Sequence, residues 1–229
     1  MLWNIDRTLV DVERVARAAY AEAFEKVTGH PLVYLAPTAG ATDSELFFAF
    51  LARNNVPSDD ETLLPLYLDA LEQAFAARRR EVGTKGRLLP GATDALRAVA
   101  ALPDTVQTVV TGGIKPNAVA KLAAFGLDSL LNLEVGGFGS QNYLKASLIQ
   151  FTRMRAEQSR GTSFPDASTV YVSHSVRDVE AALIGRVTPI GVVSGLDTAA
   201  QLRKAGAEIV LDDLEDTVAV VTAIQRATE

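Results

Sequence analysis

Hydrophobic and polar positions along the chain fall into two regimes. Between Val10 and about Arg80 the apolar residues recur at helical spacing. Val12, Val15, Ala16, Ala19, Phe24 and Val27 make one stripe, and Gly29 closes that helix. Residues 31–42 contain two prolines and a glycine and form a connection. Thr42-Asp43-Ser44-Glu45 then opens a helix through Leu46, Phe47, Phe48, Phe50 and Leu51. A further helix is predicted from Asp60 to Arg80, its basic end Arg78-Arg79-Arg80 solvated and favoured by the helix dipole. From Leu88-Leu89-Pro90-Gly91 onward short apolar runs alternate with helical stripes. Helices are predicted over 92–101, 116–125, 144–156, 176–184, 199–205 and 214–226, and strands over 105–110, 131–135, 169–173, 189–193 and 208–211.

That alternation is the signature of α/β architecture, a Rossmann-like doubly wound parallel sheet with helices on both faces. The apolar run Met1-Leu2-Trp3, stopped at Asn4-Ile5-Asp6, supplies the first strand. Residues 1–11 and 89–229 would form the core. Residues 12–88 would form a helical cap inserted after the first strand, hinged through the connections near Val10 to Val12 and Leu88 to Gly91. Phe47, Phe48, Tyr67 and Phe75 are expected to be the cap's own core.

Composition narrows the function classes. The 229 residues include 48% hydrophobic and 22% charged positions, ordinary for a soluble globular protein. No stretch reaches the roughly 18 apolar residues of a membrane span. No basic leader precedes the first apolar run, so a cytoplasmic location is the expectation. The chain has no cysteine, which excludes disulfides, thiolate metal sites and a cysteine nucleophile. A net charge of −6 argues against a nucleic-acid partner, and a small-molecule substrate is expected instead.

The candidate chemistry lies where strands stop. Asn4 and Asp6 follow the first strand, either as site residues or simply as turn formers. Thr111-Gly112-Gly113 follows another, where a hydroxyl and backbone N–H groups can meet an anion. Ser173-His174-Ser175, with Asp178 beyond, follows a third, and Lys145 starts a helix after the glycine-rich loop 136–140. In a doubly wound sheet these positions open onto one edge. Phe138, on the glycine-rich loop, is a candidate apolar wall of the pocket.

Taken together, these positions resemble the haloacid dehalogenase superfamily, in the branch of phosphoglycolate phosphatase and β-phosphoglucomutase, over essentially the whole chain. The family's first motif, Asp-x-Asp-x-Thr, is here Asn4-Ile5-Asp6-Arg7-Thr8; the second is Thr111; the third is Lys145; the fourth is Ser173-His174 with Asp178 four residues on. The resemblance implies that Asn4 stands where the nucleophilic aspartate would be and His174 where an aspartate would bind Mg²⁺. It also implies that Asp6 acts as acid and base, and that Thr42 lies in a cap loop that contacts substrate. An amide is a poor nucleophile and brings no charge to a metal, and imidazole suits Mg²⁺ badly. Asn4, Asp6 and Asp178 would then be a vestigial metal site. No cofactor is expected, and Mg²⁺ only if the protein is a phosphatase.

Three functions follow. In the first, Asp6 and His174 carry out metal-independent acid–base chemistry, and Thr111, Lys145 and the Gly112-Gly113 amides bind a small anionic or carbonyl substrate. In the second, the protein is a phosphatase or other hydrolase and Asn4 is an introduced substitution. In the third, it is a non-catalytic binding or regulatory pseudo-phosphatase.

Overall fold

The structure is a computed structural model, and it describes residues 1–57, 62–141 and 144–228. The first strand, β1 (Leu2–Trp3), is fully buried. A short strand β2 (Val10–Asp11) follows, then four helices: α1 (Glu13–Thr28), α2 (Asp43–Arg53), α3 (Leu63–Ala77) and α4 (Arg79–Lys85). Strand β3 (Arg87–Leu88) pairs antiparallel with β2, Val10 opposite Leu88, so a two-stranded ribbon carries both ends of the helical insert. The insert's boundaries are set by local chemistry. Gly29, at φ 72°, ends α1, and Thr42 and Glu45 form a reciprocal capping box at the start of α2. The long helix predicted to begin at Asp60 starts outside the described residues, and it breaks at Arg78, whose backbone leaves helical geometry between α3 and α4.

The remaining chain alternates as predicted: α5 (Ala92–Ala100), β4 (Thr108–Thr111), α6 (Lys115–Ala123), β5 (Gly137–Phe138), α7 (Lys145–Arg160), β6 (Val170–Ser173), α8 (Val176–Ile184), β7 (Thr188–Val192), α9 (Ala199–Ala205), β8 (Ile209–Leu211) and α10 (Thr217–Ala227). The six strands of the main sheet run parallel in the order β5-β4-β1-β6-β7-β8. Side chains alternate across it, as the two-residue period of a strand demands. Trp3, Val109 and Val172 pack with Leu96, Val99 and Ile224 from α5 and α10. Leu2, Val110 and Tyr171 pack on the other face with Leu148, Ile149 and Ala182 from α7 and α8.

One predicted strand is corrected. Residues 131–135 form no strand; the edge strand is the two-residue β5, made by the glycine-rich segment itself. Leu131 and Val135 instead turn their side chains into the core. Chain order reverses at β1, flanked by β4 and β6, and a crevice opens at the carboxyl ends of these three strands.

The insert lies over that crevice with its own aromatic core. Phe47 and Tyr67 stack with ring centroids 4.5 Å apart, and both are fully buried. Phe75 is buried as well, whereas Phe48 is partly exposed. The insert approaches the core through its backbone. The Asp43 N–H donates to the Gly112 carbonyl at 2.8 Å, and Ser44 Oγ donates to the Gly139 carbonyl at 3.1 Å. A Cβ on Gly112 would overlap the Ala41 carbonyl oxygen, so glycine at 112 is what lets the two meet.

Candidate active site

A cavity of about 170 Å³ lies between the crevice and the insert. Asn4, Asp6, Thr111, Gly112, Gly113, Lys145 and His174 all line it, so one site gathers residues from the ends of β1, β4 and β6 and from α7. Among its other walls are Tyr20 and Asp43 from the insert and Lys121 from α6.

Asn4 is 3% exposed and uses both ends of its amide. Its Oδ1 accepts from Lys145 Nζ at 3.2 Å. Its Nδ2 donates to the Asp6 carbonyl at 2.8 Å and to Thr8 Oγ1 at 3.1 Å, and lies 3.1 Å from His174 Nδ1. The loop that carries Asn4 and Asp6 is tightly wound: Arg7 takes a left-handed φ of 54°, and its N–H donates to the Val10 carbonyl at 2.7 Å. A non-glycine residue in that conformation costs about 1–2 kcal/mol, here offset by the closed hydrogen bonds of the loop.

His174 is 3% exposed, with Nδ1 facing the Asn4 amide and, at 3.3 Å, Thr8 Oγ1. The Asn4 amide carries two N–H groups for three partners, the Asp6 carbonyl, Thr8 Oγ1 and His174 Nδ1, and Thr8 Oγ1 is a second partner for the ring. The ring's Nε2 is buried without a hydrogen-bond partner among the described residues. Burial lowers the His174 pKa and outweighs the upward pull of Asp178.

Asp178 is a correction to the metal-site expectation. It is fully buried behind the cavity and does not line it. Its carboxylate takes Lys145 Nζ at 2.6 Å and Ser175 Oγ at 2.7 Å, with the Tyr171 hydroxyl at 3.4 Å. Burial alone would raise its pKa, but the Lys145 ammonium, His174 and these hydrogen bonds hold it below the usual carboxylate value.

Asp6 is the carboxylate that faces the cavity, its side chain 40% exposed. Lys121 Nζ donates to both of its oxygens, at 2.8 and 2.7 Å. The expected Asp6–His174 proton pair is not formed: Lys121 holds the one, and Asn4 and Thr8 hold the other. Thr111 Oγ1 accepts from the Gly113 N–H at 3.2 Å, which leaves its own proton free to reach a ligand oxygen.

Two expected substrate contacts are redirected. Thr42 Oγ1 accepts from the Glu45 N–H and caps α2, outside the cavity lining. Phe138 is buried beside Lys115, whose Nζ lies 5.7 Å from the ring centroid, and it too is outside the lining. In their place the structure supplies Asp43, the neighbour of Thr42 in the cap loop that the resemblance marked, together with Lys121 and Tyr20, which the motifs did not mark. Asp43 accepts from the Tyr20 hydroxyl and from the Ile114 N–H, both at 2.8 Å. Burial raises the Asp43 pKa against the opposing pull of Lys121 and these hydrogen bonds, and burial beside Asp43 pushes Tyr20 well above its ordinary value. The signal for Lys121 was available: it sits on the apolar Ala118–Leu122 face of α6, where a solvated lysine would not be placed.

Comparison with known proteins shows the family and the fold. A family model for haloacid dehalogenase-like hydrolases matches residues 1–183. No curated protein gives a significant match. A hydrolase from Pseudomonas syringae is similar over 97% of both chains, at 21% identity and a TM-score of 0.71. A putative β-phosphoglucomutase from Bacteroides vulgatus is similar at 15% identity and a TM-score of 0.67, over 100% of this chain and 89% of that one. An aspartate-to-asparagine mutant of CbbY from Rhodobacter sphaeroides, in complex with xylulose-(1,5)bisphosphate, gives 19% identity over 94% of both chains and a TM-score of 0.69. At such identities the likeness speaks for the fold alone.

Proposed function

Because the chain belongs to the haloacid dehalogenase-like hydrolase family, we propose that it keeps that family's cleft for a small molecule but works there without a metal. In this reading Asp6 moves the proton. One observation carries it: the Asn4 amide and the His174 imidazole meet directly, Nδ2 to Nδ1 at 3.1 Å. Two carboxylates at these positions would repel each other and need a cation between them. An amide beside an imidazole brings no pair of negative charges and needs no such cation, so the two departures from the family pattern complement each other.

The donor set points the same way. Mg²⁺ wants hard oxygen ligands in octahedral array. Asn4 offers a neutral amide oxygen beside the Lys145 ammonium, His174 offers nitrogen, and the Asp178 carboxylate is turned to Lys145 and Ser175; among the described residues no group of three or more acidic or histidine side chains could hold a metal. These residues do not fit Mg²⁺. The amide of Asn4 also lacks the nucleophilicity for covalent transfer.

Asp6 remains the group able to act. Lys121 occupies one lone pair on each carboxylate oxygen, which leaves acceptor capacity toward the cavity. The Thr111 hydroxyl lines the same space and is placed to hold a ligand carbonyl while Asp6 takes a proton from the neighbouring carbon or water. His174, neutral and hydrogen-bonded, orients Asn4 and closes the floor.

The test is phosphate release from a panel of small phosphate esters, with and without Mg²⁺, run beside exchange of the methyl protons of pyruvate for deuterium in D₂O. The natural protein should release no phosphate in either condition and should catalyse exchange, which Asp6→Asn abolishes. Asn4→Asp, His174→Asp should gain Mg²⁺-dependent release. Mg²⁺-dependent release by the unaltered protein would refute the proposal and make it a phosphatase.

A further inference from the structure

The cavity is lined by four cations, Arg7, Arg17, Lys121 and Lys145, and each already faces a carboxylate of the protein itself. Lys121 grips Asp6, Lys145 grips Asp178 at 2.6 Å, and Arg7 and Arg17 share Glu13. Four carboxylates line the same space: Asp6, Asp11, Glu13 and Asp43. Asp43 also occupies the Ile114 N–H at the start of α6, a place where a phosphate could otherwise sit. A dianion entering here would meet cations already paired with the protein's own carboxylates, so that their charge is largely balanced, and several negative neighbours.

We infer that the site selects against phosphate esters and takes a small neutral or singly charged carbonyl compound, with Asp6 as the residue that sets this preference by occupying Lys121. The inference deepens the metal-free reading above and rests on it, since a bound divalent cation would change the charge balance. The space is ample for such a ligand: a cavity of about 150 Å³ holds a benzene-sized molecule, and the 170 Å³ here, open to solvent beside Leu196 and Arg17, accommodates a three- or four-carbon oxo acid. Within that space Thr111 and the Gly112-Gly113 turn offer donors to a carbonyl oxygen, and the Asp6 carboxylate is an acceptor.

Lys121 makes the idea testable without any turnover. It is 4% exposed and lies 5.7 Å from the Phe75 ring centroid, so insert and core together shield its charge. Replacing Asp6 by the isosteric asparagine removes the nearer counter-charge and leaves the buried ammonium balanced only by Asp43, which it does not hydrogen-bond.

The experiment is calorimetric titration of inorganic phosphate and of pyruvate into three forms of the full chain: natural, Asp6→Asn, and Asp6→Asn with Lys121→Met. Each is checked for an intact fold by its thermal transition, and each is titrated in chelator. Asp6→Asn should bind phosphate at least about tenfold more tightly than the natural protein, and the added Lys121→Met should cancel that gain. The natural protein should prefer pyruvate to phosphate. Phosphate binding by the natural protein as tight as that of Asp6→Asn would overturn the inference, and so would a gain that survives the loss of Lys121. The two failures are separable. Metal-dependent phosphate release by the natural protein sinks the functional reading, whereas tight metal-free phosphate binding without release sinks only the preference assigned to Asp6.

Discussion

Lys145→Met tests the buried electrostatics beneath the site most sharply. The Lys145 ammonium is the only full positive charge in hydrogen-bond contact with the Asp178 carboxylate among the described residues, and the two side chains are 5% and 0% exposed. Methionine keeps most of the lysine stem's volume, so the loss is mainly of charge. What remains is an anion held by Ser175 Oγ and the Tyr171 hydroxyl alone. Breaking a buried pair from one side costs about 3–5 kcal/mol, because the surviving charge stays uncompensated. With a urea m-value of about 3 kcal/mol/M for a chain of this length, the unfolding midpoint should fall by roughly 1–2 M.

The pH dependence gives a second reading with the opposite sign in the two proteins. In the natural protein the Asp178 pKa is lowered, so the unfolded state binds more protons and stability rises as pH rises through the acid range toward about 4. In the variant the lysine that opposed desolvation is gone, the folded carboxyl prefers its proton, and stability should fall as pH rises from about 4 toward neutrality. Lys145→Met with Asp178→Leu should recover much of the loss, since it removes the orphan charge. Urea unfolding at several pH values reads all of this. A cost below about 1 kcal/mol, or a variant whose stability rises with pH as the natural protein's does, would refute the reasoning.

His174 should make the natural protein lose stability as pH falls below about 6.5, because its lowered folded pKa means that the unfolded chain binds the proton first. His174→Asn should remove that loss, read by urea unfolding across the same pH range. Asn4→Asp alone should raise the His174 pKa by pairing it with a carboxylate, visible in an imidazole titration; no movement would mean that the 3.1 Å contact does not persist in solution. Gly112→Ala should hold the insert away from the core, since a Cβ there overlaps the Ala41 carbonyl oxygen, and hydrogen exchange in α2 should accelerate. Unchanged exchange would show that the close approach is not what seats the insert.

The parts of the fold legible in the sequence are those with a local cause. Helix α8 was predicted residue for residue because Ser175 caps it, accepting the Asp178 N–H, and Gly185 ends it. The same holds for α2, where Thr42 and Glu45 mark the start, and for the end of α1 at Gly29. Failures came where a local signal had two uses. Leu131 to Val135 has the apolar content of a strand but serves core packing, and the shorter β5 forms from glycines that carry little strand propensity. Arg78 sits in a stripe that continues helically, yet its guanidinium donates back to the Ala74 carbonyl and pairs with Glu22 where α3 gives way to α4.

By itself the sequence determined the alternating α/β plan and which residues stand at the ends of β1, β4 and β6. Hydrophobic period, caps and motif spacing are written within a few residues of one another. Only the tertiary structure decided what those residues do to each other. Asn4 meets His174 across 170 positions, Lys145 at the start of α7 meets Asp178 in α8, and Lys121 reaches Asp6 from a helix 115 positions away. Whether an amide is a lost nucleophile or one half of a hydrogen bond, and whether a lysine is free for a ligand or already paired, depends on atoms brought within 3 Å by packing. No spacing along the chain encodes that distance.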